Sequence, residues 1–224
     1  MSRFTRKVLA IAWKDLVAEL RTREIFTAMS VFALLMVVIF HSAFELRRVE
    51  MDVIGPGILW VTFTFAGVLG LNRAFALEKD RGCLEGLMLC PVDRSAIYLG
   101  KLVGILIFMT AMETISLLIF AVLSNMPLFL PGLIPIIFLG TLGFATVGTL
   151  FSAMAVNTRA REVMLPVLLF PIVVPAIIAA VKATGQVMGG QPLGAAADGL
   201  SLLSVFDLIF FVVALLTFEY VIEE

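Results

Sequence analysis

A serine becomes a nucleophile only when a neighbouring base takes its proton, and this chain has a single histidine, His41, far upstream of the serine in its only G-x-S, Ser201. An intramembrane serine protease is thereby excluded. No H-E-x-x-H stretch is present to hold a catalytic zinc. Cys83 and Cys90, the only cysteines, have six residues between them, which is not zinc-ligand spacing. A phosphate-binding loop needs G-x-x-x-x-G-K-S/T, and Gly100-Lys101 lacks both the upstream glycine and the following hydroxyl, so the chain cannot hydrolyse ATP itself. What remains is Glu113, the one ionisable residue in the middle of a long apolar run, where insertion of a charge costs about 2.5–3.5 kcal/mol. Thr110, Thr114 and Ser116 are its local polar company, with no basic residue within a turn. Glu113 must find help on another helix, carry a proton or face water. A role in a substrate pathway and a structural hydrogen bond between helices both fit. His41, Glu45, Asp207 and Glu219 lie nearer the ends of apolar runs, where snorkelling lowers the cost. His41 could ligate a heme iron from such an edge, but it has no second histidine beside it.

The elements that must position these residues are membrane spans. Of the 224 residues, 61% are hydrophobic and 15% charged, against about 45–50% and about 25% in soluble domains. No stretch is polar enough for a separate catalytic or nucleic-acid-binding domain, and a net charge of −1 gives no basic surface for DNA. Runs long enough for a roughly 20-residue span occur at about 25–44, 55–74, 98–123, 131–156, 163–181 and 202–222. The first run is preceded by a long polar stretch and followed by no small-residue cleavage site, which predicts a retained span. The fold class expected is all-α and polytopic, a single transmembrane domain over 1–224.

Lysine and arginine set its orientation. Arg3, Arg6, Lys7, Lys14, Arg21 and Arg23 precede the first span, Arg73, Lys79, Arg81, Arg94 and Lys101 flank the second connection, and Arg159 and Arg161 the fourth. The opposite side has Arg47, Arg48 and Lys182. The positive-inside rule therefore places both termini in the cytoplasm, because the acidic tail of Glu219, Glu223 and Glu224 carries little topological weight.

Three segments outside the spans have their own character. Within 1–24, Leu9, Trp13, Leu16 and Leu20 recur at helical spacing with Lys7, Lys14 and Arg21 on another face, the pattern of a helix lying flat at the membrane interface. The loop 77–97 is the largest cytoplasmic connection. Arg81 to Leu89 can form a short helix stopped by Pro91, exposing Leu84, Leu87 and Met88 to membrane headgroups or a partner protein, and Asp93 or Ser95 can cap the next span. Thr184 to Ser201, rich in glycine and alanine, reads as a flexible or re-entrant loop on the far side.

Two rows of small residues, Thr62, Ala66, Gly70 and Ala74, and Thr141, Ala145, Thr149 and Ala153, permit close helix approach, within the chain or along a dimer seam. Pro166, Pro171 and Pro175 predict kinks or a hinge in the fifth span.

Six spans, an interfacial leading helix and the loop residues Glu78, Lys79, Asp80, Arg81, Gly82, Leu84, Glu85, Gly86 and Leu87, followed by Pro91, Ser95, Tyr98, Leu99, Gly100 and Lys101, resemble the ABC-2 class of transporter permeases. The opening Trp13, Lys14, Asp15, Leu16 with Glu19 to Glu24, and the ending Phe206, Asp207, Phe218, Glu219, Glu223 and Glu224, are similar to the CcmB family, heme exporter protein B of cytochrome c maturation. That resemblance covers essentially the whole chain. It implies a permease subunit, not an enzyme, in the bacterial inner membrane, paired with a second copy of itself. Its implied partners are a CcmA-type ATPase, the heme-handling CcmC, the small CcmD and the heme chaperone CcmE. In the ABC-2 class the short helix between the second and third spans is the coupling helix seated on the ATPase, which carries over here to Arg81, Leu84, Glu85, Gly86 and Leu87. ATP hydrolysis in the partner would drive heme delivery or release of the heme-loaded chaperone. Nothing here matches the tryptophan-rich heme motif of CcmC, since Trp13 is interfacial and Trp60 stands alone. The resemblance thus implies no cofactor held directly, with heme and ATP handled by partner subunits. An ABC-2 permease for a polysaccharide, lipid or drug, and a membrane scaffold without a cycle, are the alternatives.

Overall fold

The computed structural model describes residues 3–45, 51–80, 86, 92–125, 130–156, 158 and 160–223. The helices whose bounds fall among the described residues are, in order, α1 (Arg3–Thr22), α2 (Glu24–Glu45), α3 (Met51–Asp80), α4 (Arg94–Leu123), α5 (Leu133–Ala155), α6 (Arg161–Met188) and α7 (Ala197–Glu223), with a 3-10 turn at Leu193–Ala196. Among the described residues there is no strand. All but α1 are long and apolar enough to cross a membrane.

These helices outrun the apolar runs that announce them. α3 has 30 residues and so extends about 45 Å, well beyond a hydrocarbon core of about 30 Å. Its polar end, Asn72 onward, continues the helix because no proline or glycine stops it. The far-side segment from Thr184 is a larger departure. It is no loop: α6 runs on through Met188, and only Gly189 to Pro192 break the helical path, with Gly190 at φ +77 turning the chain. Small residues let the α6–α7 hairpin close, since a Cβ on Gly199 would stand 3.0 Å from Ala183 Cβ. The three prolines of α6 sit inside one uninterrupted helix.

α3 and α5 form the centre, and α2 and α7 bury the least of their length. Centrality follows from side-chain size. Gly140 on α5 lies flat against the Trp60 ring, Gly148 against Leu71, and Gly67 on α3 against Phe144 and Met109. Both small-residue rows face inward: Thr62, Ala66, Thr141, Ala145, Thr149 and Ala153 are buried, so they are used within the chain.

The spans alternate in direction. α1 docks on the first turns of α4, where Gly100 admits Ile11, and Tyr98 on the same turns packs against Phe218 near the end of α7 at 5.0 Å between ring centroids. Both ends of the chain therefore lie at one end of the bundle. At the other end Trp60, early in α3, donates from Nε1 to Thr184 Oγ1, late in α6, at 2.9 Å.

Candidate functional site

At the end of the bundle that holds both chain ends, α1 is fastened by charge. Lys101, 3% exposed, donates to Asp15 Oδ2 at 2.8 Å and sits 5.6 Å from the centre of the Phe75 ring on α3. Lys14 Nζ reaches the other oxygen of Asp15 at 3.1 Å. An ammonium withdrawn from water is tolerated only when a carboxylate and an aromatic face replace its hydration. Three helices, α1, α3 and α4, are thus pinned at one point. Glu19, also buried, accepts the free backbone N–H of Phe26 at 2.7 Å and so caps the start of α2 across the Arg23 bend. The sequence reads Lys101 only as a marker of orientation and Asp15 only as part of the family resemblance. The pairing stripe Ile11, Ala12, Asp15 and Glu19 has helical spacing, which is the signal that would have found it.

With that stripe turned inward, Leu9, Trp13 and Leu20 are left more than half exposed on the far side of α1. This is the surface an interfacial helix lays on headgroups.

Of the coupling-helix residues, Arg81, Leu84, Glu85 and Leu87, with Met88 and Pro91, lie outside the described residues. Gly86 is helical and exposed. The segment joins the end of α3 to the start of α4, the two spans that Lys101 and Phe75 tie together. Asp93 occupies the N-cap position of α4, but its side chain makes no capping bond; its backbone carbonyl accepts from Ala96 and Ile97, and its carboxylate faces Lys7 at 4.0 Å. The cation draws the carboxylate away from the helix terminus.

Glu113 lies on α4 about ten residues from the opposite end, which is about 15 Å deep. It is 1% exposed. Its help comes from another helix: Thr141 Oγ1 on α5 donates to Oε1 at 2.7 Å, while Oε2 has no partner among the described residues. The expected local company does not serve it. Thr114 and Ser116 turn back to the carbonyls of Thr110 and Met112, at 2.7 and 2.9 Å. At similar depth, Asp207 on α7 is buried against Gly143 of α5, and neither of its oxygens has a partner among the described residues. Asp207 is not a snorkelling residue at a span end, because α7 begins at Ala197 and carries it inward. Residues 141 and 143 point about 200° apart around α5, so the two carboxylates flank that helix rather than meet.

His41 is buried near the end of α2. The Trp60 ring backs Gly140 and its N–H donates to Thr184, which makes it a packing residue. Tyr98, fully buried, donates to the carbonyl of Thr146 at 3.0 Å. Among the described residues no cluster of three metal-ligating side chains occurs.

An all-helical bundle of six membrane-length helices, led in by an amphipathic helix and carrying carboxylates buried between its spans, defines the class: an all-α polytopic membrane protein. Residues 6–222 match the family model described as CcmB protein, and the chain belongs to that family. It is 30% identical over 128 residues to heme exporter protein B of Rhodobacter capsulatus, covering 56% of this chain and 58% of that protein. It is 28% identical over 144 residues to heme exporter protein B of Paracoccus denitrificans, covering 63% and 66%. With the Pseudomonas aeruginosa protein of the same name it shares 23% over 163 residues, covering 72% and 73%. The match therefore spans roughly three-fifths to two-thirds of the first two relatives.

Proposed function

We propose that this chain is the membrane subunit of an ATPase-driven complex of cytochrome c maturation, acting in heme delivery or in release of a heme-loaded periplasmic chaperone. The observation that carries the reading is the family match over residues 6–222, which takes in every span and the connection between α3 and α4. The chain is not an enzyme. ATP is hydrolysed by a CcmA-type partner seated on the segment Arg81, Leu84, Glu85, Gly86 and Leu87. CcmC, CcmD, CcmE and a second copy of this chain complete the set, heme is held by a partner, and no nucleic acid is involved. The chain lies in a bacterial inner membrane with both termini in the cytoplasm, an orientation that its lysines and arginines support.

Closure of the ATPase pair displaces the 81–89 segment, and the displacement passes into α3 and α4. Helices at native packing density move as rigid bodies rather than deform. The Lys101 anchor makes α1 move with them, so the interfacial helix travels with the lever. Motion reaches the opposite end beside Glu113 and Thr141, where one acceptor oxygen stands free for a changed contact.

The test is genetic. Removing the chain from its own organism and staining membranes for covalently bound heme should show loss of all c-type cytochromes, with surface glycan and drug resistance unchanged. Intact cytochromes with a lost glycan would assign the chain to another ABC-2 export system.

A further inference from the structure

α2 and α3 pack closely, with Met29 against Gly70, and at the end where α1 bends into α2 their outer face carries a shallow groove. A cleft of about 660 Å³ opens there toward the surface of the bundle. Its mouth carries Arg23 and Arg73, both exposed, and its floor is apolar, formed by Val31, Phe32, Leu35 and Leu69. Arg73 Nη1 reaches only the backbone carbonyl of Glu24, at 3.5 Å, and neither guanidinium has a carboxylate at ion-pair distance among the described residues. Glu24 shares the mouth, so the cations outnumber the anion by two to one. Arg23 also holds φ +56, a left-handed backbone that a non-glycine residue seldom adopts. Glycine or asparagine would make this bend with less strain, yet an arginine stands here, at the edge of the cleft.

The dimensions suit one kind of occupant. Leu35 lies twelve residues along α2 from Arg23, about 18 Å, close to the depth of one leaflet in a hydrocarbon core of about 30 Å. Unpaired guanidiniums over an apolar trough of that length match a phosphate with an acyl chain beneath it. We propose that the α2–α3 cleft binds a single anionic phospholipid, its phosphate on Arg23 and Arg73 and one acyl chain along Val31, Phe32, Leu35 and Leu69. This site is separate from the proposed export function and does not depend on it. The lipid covers that groove and fixes the bend between the interfacial helix and the first span.

The experiment is native mass spectrometry of the full chain in detergent, titrated with phosphatidylglycerol or phosphatidylcholine of the same acyl composition. The wild type should take up one phosphatidylglycerol in preference to phosphatidylcholine. R23Q/R73Q should weaken phosphatidylglycerol roughly thirtyfold, at about fivefold per basic residue near an anionic headgroup, and abolish the preference. R23G keeps the bend without strain and removes one cation, so it should fold at least as well and lose about fivefold. Equal uptake of the two lipids by the wild type would overturn the proposal, as would a preference that survives in R23Q/R73Q. Full displacement by millimolar inorganic phosphate would identify a phosphate site instead. A lipid-free dimer would give the cleft to a second copy.

Discussion

Two regions of this bundle withdraw carboxylates from water, Asp15 in part and Glu113 and Asp207 fully, and they treat them oppositely. At the end where both chain ends lie, Asp15 is matched by Lys101 and Lys14, with the Phe75 ring beneath the ammonium. Deeper, Glu113 has one donor, Thr141, and Asp207 has none among the described residues. A paired buried charge fixes geometry, whereas a carboxyl with few partners retains unused hydrogen-bonding capacity. The first region is a joint between helices. The second holds carboxyl oxygens whose acceptor capacity the described residues leave unused.

Breaking the joint should have the largest effect. Asp15→Ala leaves Lys101 buried without its carboxylate and should cost about 3–5 kcal/mol, read as early unfolding in detergent and poor folded yield. Replacing both, Asp15→Leu with Lys101→Met, should recover most of that loss, since the cost lies in the stranded ammonium. A double variant as unstable as the single would mean that the pair does not act as a unit.

Thr141→Val removes the only donor to Glu113 among the described residues and keeps the side-chain shape. About 1–3 kcal/mol should be lost, measurable as a lower midpoint in thermal unfolding. Tyr98→Phe should cost less, about 1 kcal/mol, because the Thr146 carbonyl keeps its helical partner while the ring still packs on Phe218. Glu113→Gln should leave stability within about 1 kcal/mol, since the amide oxygen still accepts from Thr141. It sharpens the comparison most: near-native unfolding with reduced cytochrome c content would show that Oε2 acts in the cycle. Native cytochrome content would make Glu113 a packing residue only.

The number of spans and the amphipathic lead-in were legible because both rest on composition and period, which survive any tertiary arrangement. Helix ends were less so. Apolar runs mark where lipid is, while α3 and α4 continue as helices into polar sequence that has no breaker. The segment from Thr184 shows the same limit. Glycine and alanine there suggest a loop, but those small residues serve the close α6–α7 contact at Ala183 and Gly199. At the candidate site, Glu113 stood out by its cost in lipid, whereas its partner Thr141 was visible only as one member of a packing row. Lys101 escaped because a lysine at the head of a span reads as a topological marker. Its burial depends on Asp15, far off in sequence and brought near by α1 folding back. Asp207 was misplaced for a related reason: α7 starts five residues before its apolar run, which moves every residue inward.

The most direct measurement of the central claim is mass-spectrometric identification of everything that co-purifies with this chain from its native membrane in mild detergent, beside a variant with Leu84, Leu87 and Met88 changed to serine. The account predicts a P-loop ATPase, a tryptophan-rich heme protein and a small single-span subunit with the wild type, and loss of the ATPase alone from the inserted, folded variant. An ATPase retained by the variant would contradict the contact assigned to the 81–89 segment. A wild-type preparation, intact and folded, with no ATPase would contradict the permease account itself.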